Sequence, residues 1–348
     1  MKNLLDYSLL ELQELLTGIG EKPFRAKQVM KWLMQGKTFD EMTDLSIALR
    51  QKLKMMFREG YANTLKVLKS EDGTQKYLFG FEDGCSVESV FMQKNYGNTI
   101  CLSTQVGCRM GCAFCASGAN GLVRNLSAGE ILAQIIAVNA AQGEGRNITN
   151  IVLMGMGEPL DNYDNVVKFL RLVNDKNGLG IGMRNISLST CGLVERMLEF
   201  VQEDLPVTLS VSLHAASDEK RRQIMPTANR YPITEIIKAA NNYFLKSGRR
   251  IIIEYAVIED LNDGAEDAAL LKNLLSGLNC HVNLIPLNSN IGVTLKAPAT
   301  RKVYAFCDKL NKAGLSATVR KSMGSDISGA CGQLKQQYTS GGGKGNCL

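Results

Sequence analysis

The chain has 348 residues, 45% of them hydrophobic and 21% charged, enough to bury one large core with a small accessory module. Its net charge of +6 suits an anionic partner but falls short of the strongly basic footprint of many nucleic-acid-binding domains, so charge alone is weak evidence for RNA. No run is apolar and long enough to span a bilayer; ten cysteines would suit disulfides in a secreted chain, but Glu11 and Glu14 interrupt any secretory apolar region, so the expectation is a cytoplasmic protein with reduced thiols.

Residues 1–62 read as a helical module. Leu9, Leu10, Leu12, Leu15 and Leu16 mark one helix, Pro23 to Met34 a second and Leu45 to Phe57 a third. Lys22, Arg25, Lys27 and Lys31 give the middle helix positive charge, although acidic residues are nearly as numerous. Residues 63–95 change to a period of two, with turns at Asp72-Gly73 and Glu82-Asp-Gly84, which predicts a small β meander linking this module to the core of the chain.

Residues 96–322 alternate strands and helices. Apolar runs at Thr99–Leu102, Ile148–Leu153, Asn185–Ser189, Val207–Leu213, Ile251–Val257 and Val282–Ile285 predict six buried strands. Amphipathic helices lie between them, the first opened by a capping box at Ser127-Ala-Gly-Glu130. Repeated βα units imply a parallel sheet, and six are too few to close an eight-stranded barrel, so the fold class is α/β with an open, partial (β/α)6 barrel. Chemistry in such a barrel gathers at the C-terminal ends of the strands. Residues 323–348 hold a loop of small residues around Cys331 and a glycine-rich tail from Ser340 that reads as flexible.

The first of those strand ends carries the most specific motif, Cys108-Arg-Met-Gly-Cys112-Ala-Phe-Cys115. Three thiolates at this spacing suit a [4Fe–4S] cluster with one iron left open. A structural zinc site would need a fourth ligand at typical spacing, and no Cys or His lies close downstream. Cys85, Cys191, Cys280 and Cys307 read as small apolar residues and Cys347 as a free thiol on the tail.

The same spacing, with Phe114 before its last cysteine, resembles the radical S-adenosylmethionine (SAM) enzymes. Cys101-Leu-Ser-Thr-Gln-Val-Gly-Cys108, Met154-Gly-Met-Gly-Glu-Pro-Leu160, Val211-Ser-Leu-His214 and Ser325-Asp-Ile-Ser-Gly-Ala-Cys331-Gly-Gln-Leu334 resemble the RlmN/Cfr family of radical SAM RNA methyltransferases over nearly the whole chain. The resemblance implies one [4Fe–4S] cluster on Cys108, Cys112 and Cys115, with SAM as cosubstrate, two molecules being consumed per turnover. It implies SAM contacts at Gly157, Glu158, Ser189, Ser212, Leu213, His214 and Asn288. Cys331 would carry the methyl group as S-methylcysteine, form a covalent RNA adduct, and then be released by Cys101 through a transient disulfide. Glu88 would accept the proton. RNA contact by the N-terminal helical domain, an electron donor such as flavodoxin or ferredoxin, and a monomeric state complete the expectation.

Two branches of that family share this chemistry. One methylates C2 of an adenine in the peptidyl-transferase region of 23S rRNA and of the adenine next to the tRNA anticodon; the other methylates C8 of the same rRNA adenine and confers antibiotic resistance. Pro159, Pro286-Leu-Asn288 and Val106 look more like the C2 branch. A reading from another class, a non-catalytic iron–sulfur or zinc protein that binds RNA, predicts no need for Cys331 or Cys101.

Overall fold

The first helix starts where Ser8 and Glu11 cap one another, the Ser8 amide donating to the Glu11 carboxylate and the Glu11 amide to the Ser8 hydroxyl. Helices α1 (Leu9–Gly18), α2 (Arg25–Met34) and α3 (Ile47–Met56) bury Leu12, Leu16, Val29, Leu33, Leu49 and Leu53 against one another. A parallel bridge between Lys2–Asn3 and Phe57–Arg58 ties the two ends of the module together. The computed structural model describes residues 1–95, 97–143, 148–288 and 295–334; the glycine-rich tail and Cys347 lie outside the described residues.

Ten strands form one sheet: β1 (Asn63–Lys69), β2 (Gln75–Gly80), β3 (Ser86–Met92), β4 (Asn98–Cys101), β5 (Ile148–Leu153), β6 (Ile186–Thr190), β7 (Thr208–Ser212), β8 (Ile251–Val257), β9 (Cys280–Pro286) and β10 (Ala317–Val319). Every strand pairs with its neighbours in sequence. Pairing is parallel from β4 to β10 and antiparallel from β1 to β4. The six predicted strands are present, and β10 adds a seventh parallel strand. Its three residues at the sheet edge are too short to show a period. The meander is continuous with the barrel, because Val90 of β3 pairs with Cys101 of β4.

Helices α4 (Ala128–Gln142), α5 (Tyr163–Asn174), α6 (Val194–Gln202), α8 (Ile233–Ser247), α9 (Ala265–Leu274) and α10 (Thr300–Lys312) cover the sheet, and the capping box at Ser127 opens α4 as predicted. A short helix that the periodicity does not announce, α7 (Asp218–Ile224), follows β7. The helical module docks at the start of α4, where the Asp6 carboxylate accepts from the Gly129 amide at 2.6 Å. A Cβ on Gly129 would stand 2.9 Å from the Asp6 nitrogen, so glycine permits this approach. No helix among the described residues is long and apolar enough to cross a membrane.

Candidate active site

The cysteine loop is held at its base by a small hairpin, Gln105–Gly107 against Leu122–Asn125. Gly107 has φ +78, and a Cβ there would lie 2.1 Å from the Gly121 carbonyl oxygen. Only glycine can close this base. From it the loop reaches across the barrel mouth, where Ala113 donates to the Ile224 carbonyl at 2.9 Å and Ala116 to the Gly332 carbonyl at 2.8 Å. Phe114 meets the His214 ring edge-on, with centroids 4.7 Å apart.

One cavity at the strand ends is lined by Cys108, Cys112, Cys115, Gly157, Glu158, Ser189, Ser212, His214, Asn288 and Cys331. The order of strands in the sheet brings these distant residues together. A second cavity shares Cys331 and Asn288 with the first and adds Cys101, Val90 and Met92. Cys331 therefore stands between the cysteine loop and Cys101; both Cys331 and Cys101 are free thiols.

Around the loop the environment is apolar: Met110, Ile224, Met225, Ile258 and Leu287 are buried with Cys108 and Cys191. Burial pushes the Cys108 thiol up to about 12 and raises Cys112 further, with repulsion from neighbouring thiolates adding to it. Cys108 is buried and Cys112 and Cys115 are half-buried, so a thiolate here is favoured only beside a cationic partner. Among the described residues no three Cys, His, Asp or Glu side chains are close enough to hold a single metal ion. The soft donor set and the apolar shell both suit an iron–sulfur cluster.

His214, at φ +58 beyond the end of β7, is buried in the wall, and burial pushes its pKa down to about 3. Its Nδ1 accepts from the Ala256 amide at 2.9 Å, which leaves the proton on Nε2. Such a neutral imidazole is a donor for binding and not an acid–base group near neutral pH. The Ser189 and Ser212 hydroxyls lie 3.2 Å apart on neighbouring strands. Leu213 packs in the core and does not line the cavity.

Glu158 is buried with its carboxylate already engaged: Oε1 accepts from the Leu160 amide at 3.1 Å and Oε2 from the Cys191 amide at 2.8 Å. It ties the turn after β5 to the end of β6, while burial raises its pKa. Gly157 has φ +103, and a Cβ there would fall 2.6 Å from the Gln105 Cβ. Gly157→Ala is expected to lower unfolding free energy by at least about 1–3 kcal/mol in urea titration, from backbone strain with the Gln105 clash added to it. A loss below about 0.5 kcal/mol, the size of an ordinary surface change, would show that the turn relaxes.

Asn288 donates to the Cys331 carbonyl at 3.1 Å, and Ser117 donates to the Leu334 carbonyl at 2.8 Å, so the Cys331 loop is fastened on two sides. On a third side the Lys76 ammonium donates to the Ser328 carbonyl at 3.1 Å. Lys76 also pairs with Glu88 at 3.1 Å, both side chains being almost wholly buried. Glu88 is therefore an inward-facing strand carboxylate on the same face of β3 as Val90, although it lines neither cavity. Burial pushes the Cys101 thiol up to about 12; the charge of Cys331 adds to this and that of Arg320 opposes it.

Sequence reasoning missed Cys191, Glu254 and Arg320, which also line the first cavity. Glu254 accepts from the Asn283 side chain at 2.7 Å, with Arg320 at 4.0 Å. The signal for Glu254 was a lone carboxylate within the apolar run Ile251–Val257.

Residues 102–271 match the family model of the radical SAM superfamily, and residues 2–58 match that of the ribosomal RNA large subunit methyltransferase N-terminal domain. The "Probable dual-specificity RNA methyltransferase RlmN" of Clostridium acetobutylicum is 51% identical over 341 residues, covering 97% of this chain and 98% of its own length. A protein of the same name from Clostridium perfringens (strain 13) is 51% identical with the same coverage. The crystal structure of a radical SAM methyltransferase from Sphaerobacter thermophilus superposes with a TM-score of 0.93 at 41% identity, covering 96% of this chain and 99% of that one.

Proposed function

This chain belongs to the RlmN family of radical SAM RNA methyltransferases, and from that premise we propose that it methylates C2 of one adenine in the peptidyl-transferase region of 23S rRNA and of the adenine next to the anticodon in tRNA. The observation that carries this reading is the position of Cys331, shared by a cavity lined with the three loop cysteines and a cavity lined with Cys101.

When bound, the [4Fe–4S] cluster and SAM would supply the electron, the methyl group and the radical that removes one hydrogen atom. Cys108, Cys112 and Cys115 would hold three irons, leaving the fourth to SAM. Gly157, Ser189, Ser212 and His214 would line the SAM site, with the His214 Nε2–H as donor. Glu158 would act by fixing the turn and Leu213 through its backbone. Asn288 would hold the Cys331 loop closed over that site.

Cys331 would accept a methyl group on sulfur and, after loss of one hydrogen atom, form a carbon–carbon bond from that methylene to the adenine. Glu88 would take the proton from the adenine carbon, and the adduct's one unpaired electron would leave to the bound cluster as acceptor, which restores the aromatic ring. Cys101 as thiolate would then attack the Cys331 sulfur; the carbon–sulfur bond breaks, its electron pair goes to the methylene carbon, and a proton completes the methyl group. The exposed Lys22, just before α2, and Lys27 and Lys31 on it, beside the half-exposed Phe24 ring, would meet RNA phosphates.

The test is anaerobic reconstitution with SAM, a flavodoxin or chemical reductant, 23S rRNA fragments and tRNA, followed by mass spectrometry of digested nucleosides. The expected product is 2-methyladenosine in both RNAs. Finding 8-methyladenosine would move the chain to the other branch, and finding no methylated adenosine while SAM is cleaved would sink the assigned substrate.

A further inference from the structure

Arg221, on α7, is the largest fully buried side chain of the protein among the described residues, at 0% exposure. Its Nε donates to the Leu213 carbonyl at 3.1 Å, and its Nη2 to the Cys191 carbonyl at 2.6 Å and the Ser212 carbonyl at 3.4 Å. Its Nη1 has no hydrogen-bond partner. Asp218 contributes an attractive field, but that carboxylate accepts from the Ile233 amide instead of pairing with Arg221. A buried guanidinium without a carboxylate is expensive, since carbonyl dipoles offset only part of its lost hydration. Such a charge persists where something anionic completes it.

Arg221 joins the ends of β6 and β7, and the Ile224 carbonyl at the end of its helix accepts from Ala113, between Cys112 and Cys115. Cys191 and Ser212, whose carbonyls Arg221 holds, line the same cavity as Cys108, Cys112 and Cys115, so the guanidinium stands directly behind that wall. A cluster held by three thiolates carries a net negative charge that deepens by one on reduction.

We propose that Arg221 is the built-in counter-charge of the cluster, a positioning residue that fastens two strand ends beneath the cysteine loop and favours the reduced state. This rests on the proposed cluster site at Cys108, Cys112 and Cys115. Removing the charge makes reduction harder, while keeping the charge on a different side chain preserves most of the effect.

The experiment is a redox titration of the reconstituted full chain, followed by electron paramagnetic resonance and accompanied by iron and sulfide analysis. For Arg221→Met the ratio of reduced to oxidised cluster at a fixed potential is expected to fall at least about tenfold, equal to 59 mV for one electron. For Arg221→Lys a change under about threefold is expected, because the charge remains. A Met variant with full iron and a ratio within about twofold of wild type would overturn the proposal. So would a Lys variant whose ratio falls as far as that of Met. Should the Met variant take up no iron, a Lys variant with full iron and the wild-type ratio supports the proposal, and loss of iron in both assigns Arg221 to folding alone and overturns it. A wild-type chain that takes up no cluster refutes the site itself, which is a different and recognisable failure.

Discussion

Replacing Cys101 with alanine is expected to convert the enzyme from a catalyst into a trap, with turnover falling on the order of 10³-fold or more while a covalent chain–RNA species accumulates. Cys101 ends the first parallel strand, and it shares a cavity wall with Cys331. Burial pushes its thiol up to about 12, so at neutral pH it is protonated and must give up that proton before it attacks the Cys331 sulfur. Its removal leaves Cys331, the loop cysteines and the SAM cavity untouched, because Cys101 lines only the second cavity. The steps up to the carbon–carbon bond should therefore proceed, and the step that breaks the carbon–sulfur bond should not. The species is read as a ribonuclease-sensitive shift of the chain on a denaturing gel, close to one adduct per active chain. Wild-type turnover by Cys101→Ala would remove Cys101 from the release step. Failure to form any adduct would place it earlier in the reaction.

Much of the site is legible because a parallel barrel delivers its strand ends to one rim. Ser189, Ser212 and His214 need only a strand boundary to be located, and the cysteine loop announces itself by spacing. What is hard to read is which of two like residues turns inward. Asp218-Glu-Lys-Arg-Arg is an unbroken run of charged residues, yet Arg221 is fully buried while Arg222 is exposed. The difference comes from the crossing of α7 over the ends of β6 and β7, which no local pattern encodes. Lys76 is similar: it reads as a meander surface charge, and it is buried because β2 continues the barrel sheet and turns that face inward. The engaged carboxylate of Glu158 is hidden for another reason, since its partners are backbone amides, which carry no sequence signal.

Lys76→Met is expected to lower unfolding free energy by about 3–5 kcal/mol, because it leaves the Glu88 carboxylate buried without its cation. The ammonium stands 3.1 Å from Glu88 and 3.1 Å from the Ser328 carbonyl, so the same change also releases one fastening of the Cys331 loop. Glu88→Gln alone should cost a comparable amount by stranding the lysine. Combining Lys76→Met with Glu88→Gln should recover much of the loss, since neither charge is then unpaired, and the double-mutant cycle measures the coupling. Function separates the two roles of Glu88. If it takes the proton from adenine, the double variant is stable and still releases RNA at least about tenfold more slowly than Lys76→Met, which lacks the same loop fastening, with the Cys331 adduct persisting. If Glu88 serves only as the partner of Lys76, stability and turnover return together and the proton acceptor lies elsewhere. Urea titration combined with single-turnover adduct decay on the same four proteins decides between these outcomes, because a structural partner moves both measurements and a proton acceptor moves only the second once the charges are balanced.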